Sequence, residues 1–424
     1  MNPSKREAKG VVFSTLQNPV FGLALEQQSL FPTWCNTQFF DILIFRWRLP
    51  VFGVRILEMH ASTTLLHSTK AFDDEVARLL FSPDGKILAA ADHTTITLWD
   101  TITGSLQSTI EEKDDMFFGL AFSPDNTSIA AATDEGHGRI WSTATGELKQ
   151  TVTVDDERTL SLAFSPDGKT IATGFELIRI WDVETGELQH ILTGPGDRKL
   201  SFSAIYYGHV WPSEIWQVLF SSDGRKLVSV CPEAHCVRIW DTETWTLDKT
   251  ILGQEAGFSP DDTHLAVRVN DTTIQIYRTL DGQLQRTLED TEKKFASFTF
   301  APDSKVIATH SGREIMLWNI ESRELIKTLE DPERKVSAFS FSPDGKILIS
   351  GTRRCGLRVW DVESGACLVR LEHDDGARDV QSSRGYITGP PAFDVLLGDG
   401  AGKVALAFPD GTVRIWDIEW SQDP

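Results

Sequence analysis

A few short stretches of this chain hold residue types that perform chemistry in other settings. DGKT, at residues 167–170, ends like a phosphate-binding loop, but the leading glycine that such a loop requires falls at Ala163. GDGAGKV, near Gly398, fails the same way at Leu397. Cys231 and Cys236 flank His235, yet their four-residue gap and the lack of a second pair nearby do not make a zinc set. Five aspartates recur in similar turns, Asp84, Asp125, Asp167, Asp223 and Asp344, without the alternating acids of a calcium loop. The ten histidines show no helix-face metal pair, and no serine sits in a Gly-x-Ser-x-Gly elbow. No catalytic residue, metal site or cofactor is therefore expected, and the aspartates read as turn caps.

Composition narrows the classes further. The 424 residues carry 61 acids against 41 Lys and Arg, a formal net charge of -20, which repels a phosphate backbone and argues against nucleic acid. The five cysteines, Cys35, Cys231, Cys236, Cys355 and Cys367, are thinly spread behind a start with no secretory signal, so reduced thiols in a cytoplasmic or nuclear compartment are expected. Residues 1–60 differ in composition and are expected to be a poorly defined N-terminal extension or to pack against the main domain. Their apolar stretch, residues 39–58, is broken by Asp41, Arg46, Arg48 and Pro50 and falls short of a membrane span.

The turn aspartates belong to a repeat. A phenylalanine-led turn recurs as FSPDGK (81), FSPDNT (122), FSPDGK (164), FSSDGR (220), FSPDDT (258), FAPDSK (300) and FSPDGK (341), and a worn copy, LLGDG, begins at Leu396. Each precedes an aromatic: Trp99, Trp141, Trp181, Trp240, Tyr277, Trp318, Trp360 and Trp416. Two long intervals, Trp181 to Trp240 and Trp360 to Trp416, mark insertions. Within a unit, short alternating runs rich in Ile, Val, Leu, Thr and Phe are cut by Gly, Pro and Asp, which is the pattern of four strands and three turns. In IRIW, Ile178 and Ile180 point one way and Trp181 the other, so the sheet is apolar on both faces and must be covered on both.

These units resemble the WD40 family of β-propellers, whose blades end their third strand in Trp-Asp. The likeness covers about Thr63 to Glu419, and the near-consensus FSPDGK units are similar to the repeats of fungal NACHT/WD40 signalling proteins, whose ATPase half finds no counterpart in these residues. The resemblance implies an all-β propeller over residues 61–424, of eight blades with seven as the alternative. Residues near Thr64 to Thr69 supply the missing last strand and close the ring. The chain departs from the family in its polar network: the aspartate six residues before the aromatic survives only as Asp271 and Asp410, with His93, Glu135 and Ala234 among the substitutes, and the one Gly-His pair, Gly208 and His209, is out of register. Stability is expected to rest on apolar packing instead.

Loops joining one blade to the next should share one face, and six are acidic, including FDDEV (72–76), EEKDD (111–115), VDDER (154–158) and EHDDGARD (372–379). Candidate partner contacts are Asp73, Asp74, Asp114, Asp115, Asp155, Asp156, Asp374 and Asp375. The insertions add Tyr206, Tyr207, Trp211 and Tyr386, aromatics of the kind that anchor interfaces. The resulting expectation is a noncatalytic scaffold or sensor module, a monomeric propeller that binds a protein or basic peptide within a complex. A propeller enzyme with a site at the channel mouth, and a membrane-associated adaptor acting through residues 1–60, stand as alternatives.

Overall fold

The computed structural model describes residues 59–72, 76–112, 115–153, 159–194, 214–232, 234–331, 335–352, 356–371, 393–397, 401–407 and 411–422. These residues form eight four-stranded antiparallel sheets with no helix. In chain order, blades 1 to 7 span residues 78–111, 117–153, 161–192, 217–252, 255–289, 297–330 and 336–371. Blade 8 takes its first three strands from Phe393–Leu397, Ala401–Ala407 and Thr412–Gln422. Its fourth is the first strand of the chain, Met59–Lys70.

The two apolar faces of each sheet explain the ring. Ile178 and Ile180 of blade 3 pack with Val218, Leu227 and Trp240 of blade 4, whereas Trp181 packs backward on Ala130, Ile140 and Val152 of blade 2. The same arrangement recurs at every junction, giving eight separate apolar clusters and one for each pair of neighbouring blades. The last cluster joins blade 8 to blade 1 through Val413, Ile415, Leu79 and Phe81, which closes the circle.

Closure needs no loose edge. Thr63 to Lys70 pair with Ile418 to Thr412 as expected, and the ladder continues to Met59 opposite Gln422. This extra length lets Trp420 reach blade 7, where its indole joins the apolar cluster and its N–H donates to Asp344 Oδ2 at 3.2 Å.

In place of the family's polar network, six of the sheets hold a shorter one of their own. The indole N–H groups of Trp181, Trp240, Trp318 and Trp360 donate to hydroxyls of Thr173, Ser229, Thr309 and Ser350 on the second strand, at 2.9 to 3.1 Å. Trp99 and Tyr277 use the residue two before themselves, Thr97 and Gln275. A buried indole therefore keeps its one polar contact without the missing Asp and His.

The turn aspartates cap their own turns. Asp84 Oδ1 accepts from the Ser82 hydroxyl (2.8 Å) and the Lys86 amide (3.1 Å), and Asp125, Asp167, Asp223 and Asp344 repeat this geometry. The next position needs a positive φ. Glycine supplies it at Gly85 and Gly168, but Asn126, Asp262 and Ser304 adopt it too, at φ of 64, 56 and 57°. Those three side chains bond across to the previous blade's turn, accepting the amides of Asp84, Asp223 and Asp261 at 2.9 to 3.2 Å. An unfavourable backbone conformation is thus matched by a hydrogen bond between blades.

The aspartates of the Trp-Asp pairs in blades 1, 3, 4 and 7 cap the next turn. Asp241 accepts from the Thr244 amide, Lys226 Nζ and the Thr244 hydroxyl, and these contacts hold its pKa down at about 2. A folded-state pKa below the unfolded value near 3.9 contributes stability above that value and loses it as pH falls from about 4 toward about 2. We predict that urea stability declines across this window and that Asp241→Asn flattens the decline while lowering stability at neutral pH; parallel pH curves for the two proteins would contradict it. A second expectation concerns closure. Removing residues 1–70 should lower Tm by roughly 10 °C or more relative to a chain that starts at residue 59. Equal melting temperatures would show that the first strand does not hold the ring.

Candidate functional site

An antiparallel blade sends its connections to two faces. Turns between first and second strands, and between third and fourth, emerge on one face. Hairpins between second and third strands, and the loops that run to the next blade, emerge on the other, here called the rim. Residues 193–216 leave blade 3 after Leu192 and re-enter at Gln217, and residues 372–392 leave blade 7 after Leu371 and re-enter at Phe393. Both long connections therefore start and return on the rim.

Of the candidate contacts, Asp73, Asp74, Asp114, Asp155, Asp156, Tyr206, Tyr207, Trp211, Asp374, Asp375 and Tyr386 lie outside the described residues. Asp115, expected as a partner contact, is described and is buried at 3% exposed, which leaves its side chain little surface to offer a partner. Burial pushes its carboxyl above the usual range, the adjoining Asp134 carboxyl adds to this, and contacts from Thr133, the Glu135 amide and Arg139 oppose it.

Arg139 belongs to a pattern that the sequence reading overlooked. An arginine stands two residues before the repeat tryptophan in blades 2, 3, 4, 7 and 8, at Arg139, Arg179, Arg238, Arg358 and Arg414. That place lies on the tryptophan's face, toward the preceding blade. Arg139 reaches Glu112, the first residue after the fourth strand of blade 1, at 2.5 Å, and Asp115 at 3.4 Å. Arg358 Nε meets Asp331, at the same place after blade 6, at 2.7 Å with neither side chain more than 1% exposed. The Arg358 guanidinium also donates to the Leu357 and Leu371 carbonyls at 3.1 and 3.3 Å.

Neighbouring positions follow the same rule. After blade 3 the acid's place is taken by Gly194, where an added Cβ would lie 2.5 Å from Arg238 Cζ, so the guanidinium fills that space. In blade 6 the arginine's place is Met316, and Asp290 of blade 5 instead caps its own loop through the Glu292 and Lys293 amides at 2.9 and 3.0 Å. The signal was present in sequence as repeated Arg-Ile-Trp and Arg-Val-Trp, together with an acid just past a fourth strand. Elsewhere on the rim, Lys293 pairs with Glu314 at 2.5 Å, Lys294 with Asp271 at 3.1 Å, and Arg268 with Glu255 at 2.8 Å. Many described rim acids are thus already matched by bases.

The opposite face has a crevice of about 490 Å³ between blades 3 and 4, lined by Pro166, Asp167, Phe220, Asp223 and Trp245. Trp245 takes the turn position held by Gly104, Gly146 and Gly186, at φ 54°, and stacks on His190 with ring centroids 5.3 Å apart. Cys231 and Cys236 face each other across one rung of blade 4 as thiols buried in its apolar cluster.

The sequence pattern of the WD domain, G-beta repeat, matches residues 63–100, 200–241 and 323–361, which hold the aromatics of blades 1, 4 and 7. Those matches fall on repeats of one unit in a closed eight-bladed ring. The chain belongs to the WD40-repeat propeller family. A computationally designed protein, Ika8, has a similar fold, with a TM-score of 0.65 at 21% identity over 83% of this chain and 99% of that one. No curated protein matches the chain. WD40 propellers are typically noncatalytic scaffolds that bind proteins or peptides.

The buried Asp331–Arg358 pair should behave as a unit within this WD40 propeller. Asp331→Leu or Arg358→Met alone strands a charge and should cost about 3–5 kcal/mol, while the double variant should recover most of that loss. A double-mutant cycle in urea tests this; losses that simply add would refute it.

Proposed function

We propose that this WD40 propeller is a noncatalytic scaffold that holds a protein partner on its rim. The observation that carries this reading is the topology of the two long connections, residues 193–216 and 372–392, which both open on that one face of an otherwise tightly connected ring. Loops raised on a rigid frame are where binding commonly resides. Tyr206, Tyr207, Trp211 and Tyr386 are the contact aromatics in this proposal, and Asp73, Asp74, Asp114, Asp155, Asp156, Asp374 and Asp375 supply acidic surroundings that favour a basic partner. The ion pairing of the described rim acids gives the aromatics the larger share of affinity and leaves charge to orient the encounter.

Quantitative affinity capture from cells, comparing the wild-type chain with a Tyr206→Ala, Tyr207→Ala, Trp211→Ala variant of unchanged Tm, tests the assignment. The partners enriched by wild type should fall by about tenfold or more in the variant, as expected for hot-spot truncation. Recovery should also weaken as salt is raised, because exposed charges are screened beyond about 10 Å at 0.1 M. Undiminished capture by the variant would move the binding surface away from residues 193–216.

A further inference from the structure

Asp115 leads to a second use of the rim. One ligand atom each from Asp115, Glu135 and His137 lies within 4.8 Å of the other two. The three come from two connections that meet at blade 2. Asp115 ends the loop arriving from blade 1, and Glu135 and His137 flank Gly136 in the hairpin between its second and third strands. The backbone holds them together, for the Glu135 amide donates to Asp115 Oδ1 at 3.1 Å and the Met116 amide to Asp134 Oδ1 at 2.8 Å.

We propose that Asp115, Glu135 and His137 bind one divalent transition-metal ion of the zinc type. Two features beyond their proximity point to a cation. First, Asp115 is 3% exposed, and its Oδ2 receives no hydrogen bond, with the Arg139 guanidinium 3.4 Å away. His137 Nδ1 is likewise buried without a hydrogen-bond partner. Second, among the described residues the Asp134 and Glu135 carboxylates gather at Asp115, while the Arg139 guanidinium that approaches Asp115 stands closer to Glu112, at 2.5 Å. Arg139 is thus largely occupied by Glu112, and a dication offsets the remaining acids better than it repels the arginine. One imidazole with two carboxylates suits zinc and its neighbours, which take nitrogen and oxygen ligands at about 2.0–2.2 Å. Calcium and magnesium prefer larger all-oxygen shells. Three protein ligands leave a fourth position for water, so such an ion would clamp the arriving loop to the blade 2 hairpin on the rim.

The test uses the full chain, stripped with a chelator and titrated with Zn²⁺ or Co²⁺. Binding at one ion per chain should raise Tm and give bound Co²⁺ the visible absorption of a low-coordinate site. His137→Ala, and Glu135→Gln at an exposed position, should each weaken affinity by about tenfold or more, in the range of lost ligand effects. Retained Tm of the metal-free Glu135→Gln protein guards against misfolding as the cause. Zinc binding unaffected by either substitution, absence of a Zn²⁺-dependent rise in Tm, or an equal response to Ca²⁺ or Mg²⁺ would overturn the proposal.

Discussion

Everything in this fold depends on sheets that are apolar on both faces. A single four-stranded blade could cover neither side, and its large residues would remain in water at a cost of roughly 25 cal/mol for each Å². Placing each blade between two others removes both faces at once, and a circle is the arrangement in which no blade is left at an end. The eight clusters, each spanning one junction, are the physical form of that requirement. Burial of Trp181 against blade 2 and of Ile178 against blade 4 shows how one strand serves two junctions with alternate residues.

Much of this was legible in the sequence because it is local or periodic. The period, the strand count, the turn caps and the borrowed first strand all follow from residues near one another or from repetition of a unit. Partners drawn from adjacent blades were harder to see. Asn126, Asp262 and Ser304 stand where other repeats have glycine, and each reaches the preceding turn. Likewise Arg358 and Asp331 are distant in sequence and become a pair only when the ring brings one blade's third strand under the loop from its neighbour. Asp115, Glu135 and His137 escaped notice for the same reason: a loop acid and two residues flanking a hairpin glycine have no motif spacing until the register is known.

The electrostatics of the rim are accordingly of two kinds. Where an acid follows a fourth strand and an arginine precedes the next tryptophan, the charges serve the frame, as at Glu112 with Arg139 and Asp331 with Arg358. Loss of either charge would trouble the junction more than any partner. The count of 61 acids therefore overstates what the rim offers to a ligand, since some of them are paired with arginines inside the ring.

The long ladder of blade 8 carries one more implication. Met59 and Gln422 are direct backbone partners, and they lie at the end of the sheet away from the rim. A tag, tether or neighbouring module joined at either point leaves the ring on the face opposite the rim, where the two long connections start and return. Because those two points are adjacent, a short peptide bridge between them would permit new chain ends to be opened in another blade-to-blade loop, giving circularly permuted forms with the same order of blades.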